Sequence, residues 1–173
     1  HHELMKRIIG TFEVGYTDEY GLKELMHNAA PALEELSLTK EKKLINRFLE
    51  ELRKPDGGLT AYGEAQVREA MARGAVDTLL VSEGMEKNIV EYTCPKCGKT
   101  GIQTLKSFDH VKCPECTAEV NVDKHIDVVN DLYELADAYG TAVEMISMES
   151  EEGEMLMKAF NGMAAILRYK VGA

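Results

Sequence analysis

Four cysteines are the residues of this chain whose types and spacing point most directly to a chemistry. Cys94-Pro-Lys-Cys97 and Cys113-Pro-Glu-Cys116 form two C-x2-C pairs with 15 residues between Cys97 and Cys113. A two-residue gap lets both thiolates of one tight turn face a single ion at about 2.3 Å, and two such turns complete a tetrahedron. Cys94, Cys97, Cys113 and Cys116 are therefore expected to hold one structural Zn2+ per chain. Four protein ligands leave no open position for water or substrate, so this is a scaffold and no catalytic residue is expected. A metal also stabilises a piece of roughly 35 residues, too small to be held by core burial alone. Disulfides or a redox use of the pairs are the competing readings. His110 lies between the pairs in a polar loop and is left out of the ligand set. His27 and His125 have no partner at ligand spacing.

The surrounding chain sets the limits on function. Its 173 residues, 45% apolar and 29% charged, suit a soluble globular protein with one main core and an appendage. No apolar run approaches the roughly 20 residues that span a bilayer. With no basic-then-apolar leader, a cytoplasmic, reducing location is expected. The chain starts at His1 rather than Met, so a fragment of a longer protein is expected. A net charge of −10 argues against a large nucleic-acid footprint, because Lys and Arg displacing counterions supply most of that affinity. The acidic stretch from Glu144 to Glu154 is either a solvated face or a docking face for a basic partner. The nine methionines are expected to be mostly core packing. GxSxG, P-loop, HExxH and GxGxxG patterns are all absent, so the chain is not expected to be an enzyme.

The elements that position the cysteines are legible from periodicity. Residues 3–9 read as a helix end, and "TFEVGY" after them as an extended stretch. Residues 18–38 read as a helix interrupted at Pro31. A second helix over 40–53 buries Leu44, Ile45, Phe48, Leu49 and Leu52 and leaves Lys42, Arg47, Glu50 and Glu51 outside. "PDGG" at 55–58 is a loop, and residues 59–84 read as strand, helix and strand, with Val67, Ala70 and Met71 as the helix stripe and Gly74 as its left-handed cap. "AVDTLLV" is apolar on both faces, with Val76 and Leu80 on one and Leu79 and Val81 on the other, as in a buried parallel strand. A helix over 125–139 carrying Ile126, Val129, Tyr133, Ala136 and Tyr139 ends at Gly140, and strand 141–147 follows. Ser150 caps the last helix, whose first turn holds Glu151, Glu152 and Glu154, and a turn at Asn161-Gly162 leads to a final strand. The alternation predicts an α/β fold, an α-β-α sandwich with helices on both sides of one small sheet. Residues 90–124 interrupt it as an inserted zinc-ribbon minidomain.

Three segments add a resemblance. "EKKLINRFLEEL", "AYGEAQVREAMARGAVDTLLVSEG" and "EEGEMLMKAFNGMAAILRYKV" resemble the C-terminal domain of the archaeal and eukaryotic class 1 peptide chain release factors. The match covers nearly all of residues 19–173, and residues 1–18 resemble the segment joining the family's central domain to it. The resemblance implies a sandwich similar to that of the kink-turn RNA-binding ribosomal proteins. It also implies a parent protein that reads stop codons with one domain and triggers peptidyl-tRNA hydrolysis with a GGQ loop in another. Here the double glycine Gly57-Gly58 is followed by Leu59, so this chain is not expected to trigger hydrolysis. By resemblance it docks a translation GTPase, of the elongation factor 1-alpha type in archaea, and contacts the ribosome and the recycling ATPase. The docking residues so implied are Arg47 and Phe48 on the 40–53 helix, and Ile166, Leu167, Arg168 and Tyr169. Archaeal release factors carry a cysteine-bearing minidomain at this point of the fold. The rescue factor Pelota, with a similar C-terminal domain, is the alternative, since Ala159, Asn161, Ala164 and Ala165 replace glycines of the GFGGIGGILRY form. A further reading, from local basic bias, has Lys96, Lys99, Lys106 and Lys112 contacting RNA phosphates.

Overall fold

Helix α1 (Glu19–Leu52) opens the fold and is the longest element of the computed structural model, which describes residues 8–171. Asp18 caps it by accepting hydrogen bonds from the amides of Tyr20 and Gly21. The helix runs unbroken through Pro31, so the expected segments 18–38 and 40–53 are one element of 34 residues, roughly 50 Å long at 1.5 Å per residue. A proline removes one amide bond, but Ala29, Ala30, Ala32, Leu33, Glu34 and Glu35 around it are strong helix formers. Its C-terminal half is anchored through Ile45 and Phe48. Of the helix end expected over 3–9, residues 3–7 lie outside the described residues and Ile8 and Ile9 are not helical.

The next elements are β1 (Thr60–Tyr62), α2 (Gly63–Ala72) and β2 (Val76–Ser82), as the periodicity predicts. Then come β3 (Asn88–Thr93), β4 (Thr100–Leu105), β5 (Asn121–Asp127), α3 (Val128–Tyr139), β6 (Ala142–Ile146), α4 (Glu151–Phe160) and β7 (Met163–Leu167). The main sheet has the order β1-β7-β2-β6. Its central strand β2 is parallel to β6 but antiparallel to β7. An apolar run reports burial on both faces, not strand direction, which is why only one of its neighbours is parallel. A register shift between Val76 and Thr78 also turns Val76 to the face of Leu79 and Val81, away from Leu80. A bulge adds a residue and so reverses the alternation beyond it.

Helices cover both faces of this sheet, as expected of a sandwich. On one side Val67, Ala70 and Met71 of α2 and Val128, Leu132 and Ala136 of α3 pack on Leu79, Val81, Ala165 and Leu167. On the other, Ile45 and Phe48 of α1 and Leu156 of α4 pack on Leu80, Ile146, Ala164 and Ile166. The Phe48 ring meets Phe160 edge to face at 5.1 Å between centroids. Much of the acidic stretch is tied to helices: Glu144 pairs with Lys40 at 2.5 Å, Glu152 with Lys42 at 2.9 Å, and Glu154 with Lys158 at 2.5 Å. Among the described residues, no helix is long and apolar enough to cross a membrane.

A second sheet, β4-β3-β5, is antiparallel throughout. It occupies Asn88–Asp127, slightly more than the 90–124 expected. This shortens the helix expected at 125–139, because Ile126 belongs to β5 and pairs with Ile89. The switch falls at Asp127, whose carboxylate accepts from the amides of Val129 and Asn130 and so starts α3 at Val128. The buried stripe is then Val128, Leu132 and Ala136, with Tyr133 and Tyr139 exposed. Gly140 ends the helix with φ +59°.

Candidate metal centre

The four cysteines sit on two turns that the second sheet brings together. Cys94 follows β3 and Cys97 precedes β4, so the first turn is the β3–β4 hairpin itself. In it the Cys94 amide donates to the Lys99 carbonyl at 2.8 Å and the Gly98 amide to the Cys94 carbonyl at 2.9 Å. The second turn repeats this, with Cys113 donating to Ala118 at 2.8 Å and Thr117 to Cys113 at 2.9 Å. Both turns need a left-handed residue after the second cysteine, supplied by Gly98 at φ +70° and Thr117 at φ +58°. A β-branched residue is strained there, by about 1–2 kcal/mol. Thr117→Gly is therefore expected to stabilise the second sheet by roughly 0.5–1 kcal/mol, read as a higher melting temperature of that sheet.

The sulfurs converge. Cys94 Sγ lies 3.5 Å from Cys116 Sγ, Cys97 Sγ lies 3.7 Å from Cys113 Sγ, and all four lie within 4.8 Å of one another. Four sulfurs at about 2.3 Å from one ion would be about 3.8 Å apart, so the donor set fits a tetrahedral site. Among the described residues no other group of three or more His, Cys, Asp or Glu side chains converges in this way. Cys94 and Cys113 are buried over Val90, Tyr92, Val111 and Val120, Cys116 is half-buried, and Cys97 is exposed. Amide hydrogen bonds favour thiolates here. The Cys97 amide, helped by that of Lys96 and by neighbouring thiols, brings the Cys94 thiol down to about 6. The amides of Cys116 and Glu115 likewise lower that of Cys113. At Cys97 the Lys99 amide favours the thiolate, but sharing a proton with Cys94, burial and the other thiols push it up to about 12. The cluster can lose some protons near neutrality but holds others until a cation replaces them.

His110 and His125, left out of the ligand set, lie outside the cluster. His110 Nδ1 lies 2.9 Å from Glu119 Oε1 at the surface, and His125 stacks on Phe108 at 4.2 Å. Of the lysines proposed for RNA, Lys99 pairs with Glu115 of the other turn. Over residues 88–127 five lysines face six carboxylates, so the local basic bias does not extend to the whole sheet. The Lys99–Glu115 bridge and the strained Thr117 were not anticipated, although the repeated Cys-Pro-x-Cys frame marks both positions.

The docking residues fare differently. Phe48, Ile166 and Leu167 are 0%, 1% and 4% exposed and belong to the core, so they cannot form a contact surface in this conformation. β7 is covered on both faces, and Phe48 lies on the α1 face that meets the sheet. Arg47 is exposed and 3.4 Å from Asp77. Arg168 Nη2 donates to the Gly140 carbonyl at 2.6 Å, and Tyr169 Oη to the Arg73 carbonyl at 2.6 Å. These three lie at the end of the sheet where β2 begins and β7 finishes.

Comparison with known proteins places the chain. Residues 38–171 match the family described as eRF1 domain 3. The chain is similar to peptide chain release factor subunit 1 of Archaeoglobus fulgidus, 49% identical over 172 residues, which covers 98% of this chain and 42% of the relative. It thus spans less than half the length of that relative. Among solved structures it resembles the C-terminal domain of the peptide chain release factor from Methanosarcina mazei, with a TM-score of 0.73 and 37% identity over 92% of this chain and all of that one. An archaeal Pelota, in a model of it bound to the ribosome with ABCE1, shares the fold alone, at a TM-score of 0.56 and 24% identity over 92% of this chain and 35% of that one. The chain belongs to the eRF1 domain 3 family, the C-terminal domain of archaeal and eukaryotic peptide chain release factors.

Proposed function

We propose that this chain is the partner-docking domain of a peptide chain release factor that directs translation termination at stop codons. The observation that carries this is the 49% identity to an archaeal release factor subunit over 98% of the chain. The sequence holds no Gly-Gly-Gln, so hydrolysis falls to another part of the parent protein and this domain acts by binding. Its partners are a translation GTPase of the elongation factor 1-alpha type, the ribosome and the recycling ATPase. The last two are supported by the shared fold of an archaeal Pelota bound to the ribosome and ABCE1. Four thiolates in a closed tetrahedral arrangement suit Zn2+, which neutralises them and locks the two turns together. Such a factor works in the cytoplasm.

With Phe48, Ile166 and Leu167 in the core, Arg47, Arg168 and Tyr169 are the remaining docking residues for the GTPase. A pull-down with archaeal elongation factor 1-alpha in its GTP form tests the reading. The domain is expected to be retained, and Tyr169→Ala to weaken binding by about 2 kcal/mol, roughly thirtyfold. Absence of binding above background counts against the GTPase as partner. Unchanged binding by Tyr169→Ala moves the surface elsewhere.

A further inference from the structure

We propose that the four-cysteine cluster is also an oxidant-responsive site, closing into the disulfides Cys97–Cys113 and Cys94–Cys116 and releasing its metal. The proposal rests on the metal reading for its starting state, and takes its pairing from two sulfur contacts that run between the turns. Each of these pairs joins one turn to the other, at 3.7 and 3.5 Å between sulfurs. Disulfide formation brings two sulfurs to about 2.05 Å, so each pair has to close by roughly 1.5 Å. In the zinc-loaded starting state all four sulfurs are thiolates, so exposure sets the order. Cys97 faces solvent, whereas Cys94 and Cys113 are buried and Cys116 half-buried, so a small oxidant such as a peroxide meets Cys97 first.

The chemistry balances with hydrogen peroxide as oxidant. The Cys97 thiolate attacks one peroxide oxygen, the O–O bond breaks, and hydroxide leaves to become water with a proton. The Cys113 thiolate then attacks the Cys97 sulfenic sulfur, forms the S–S bond and expels a second hydroxide, which also takes a proton. Two electrons pass from the sulfurs to the peroxide, so two thiols and one peroxide give one disulfide and two waters. Two of the four ligands are thereby withdrawn from the ion. A second peroxide closes Cys94–Cys116 in the same way. Because both bonds cross between turns, they hold the turns where the ion held them. Bonds within each turn, Cys94–Cys97 and Cys113–Cys116, would not.

The sequence allows a clean test, since Lys96 separates Cys94 from Cys97 and Glu115 separates Cys113 from Cys116. Zinc-loaded protein is titrated with hydrogen peroxide, released zinc is read with a colorimetric chelator, and alkylated samples are cut with trypsin and a Glu-specific protease without reductant. The expected result is zinc release accompanied first by peptides linked through Cys97 and Cys113, then by those linked through Cys94 and Cys116. Amide protection across 88–127 should persist in the oxidised, zinc-free protein. Dominant links within a turn would overturn the proposal. So would oxidation that stops at sulfinic acid, or no reaction at peroxide levels that oxidise a free cysteine peptide. Zinc analysis before peroxide is added separates the two readings: protein that takes up no zinc sinks the metal, and crossed pairs formed in it keep the oxidant site.

Discussion

Stripping the metal with a chelator, or replacing Cys113 by serine, is expected to unfold the second sheet while the four-stranded sheet stays folded. The second sheet's own apolar core is small: Val90, Tyr92, Val111 and Val120, with Cys94 and Cys113 counted in it. A unit of about 40 residues with so little buried surface needs a staple. Structural zinc supplies about 10–16 kcal/mol in comparable peptides, far more than such a core. The main sheet depends little on this, since the buried residues of its two clusters lie outside Asn88–Asp127, with Ile89 of β3 packed against one of them. Metal analysis should give one zinc per chain. Hydrogen exchange after chelation should then lose protection in β3, β4 and β5 and keep it in β2 and β7. Loss of protection in β2 as well would mean that the second sheet is part of the main core.

Phe48→Ala is expected to lower the stability of the main domain by about 3–5 kcal/mol, the usual cost of emptying a buried aromatic site. Phe48 has no exposed surface, packs with Ile166 and Leu156, and meets the edge of Phe160. Domains are stable by only about 5–15 kcal/mol, so this one change removes a large share. Arg47→Ala, one residue away and exposed, is expected to cost no more than about 0.5 kcal/mol. Urea unfolding of the two variants distinguishes packing from docking at this turn of α1. If Phe48→Ala kept its stability and lost only partner binding, the packing assignment would be wrong.

The cysteine spacing and the buried stripe of α2 were readable because each is a pattern over a few neighbouring residues. So were the caps Gly74 and Ser150 and the turn at Asn161-Gly162. Features that depend on distant neighbours were not readable. The helix through Pro31 is the exception, misread for a local reason, since the strong helix formers on either side of the proline carry it. The end of β5 at Asp127 depends on pairing with β3, which a helical spacing of Ile126 and Val129 imitates. Phe48, Ile166 and Leu167 were misplaced at the surface for a related reason. A run such as Met163 to Leu167 looks the same whether it is a partner's platform or a central strand covered on both faces. Only the packing of α1 and α2 decides between them.

One feature of the register bears on how such a domain came to be. Asn88 and Asp127, the first and last residues of the second sheet, are partners across β3 and β5, and the Val128 amide donates to the Lys87 carbonyl at 2.9 Å. The chain therefore leaves the sandwich and re-enters it through a doorway one strand spacing wide, about 5 Å. Joining Lys87 to Val128 through a short turn would leave every strand of the main sheet in place. The cysteine-bearing sheet is in this sense a detachable cassette, which a single insertion or deletion in the gene could add or remove while the four main strands keep their order.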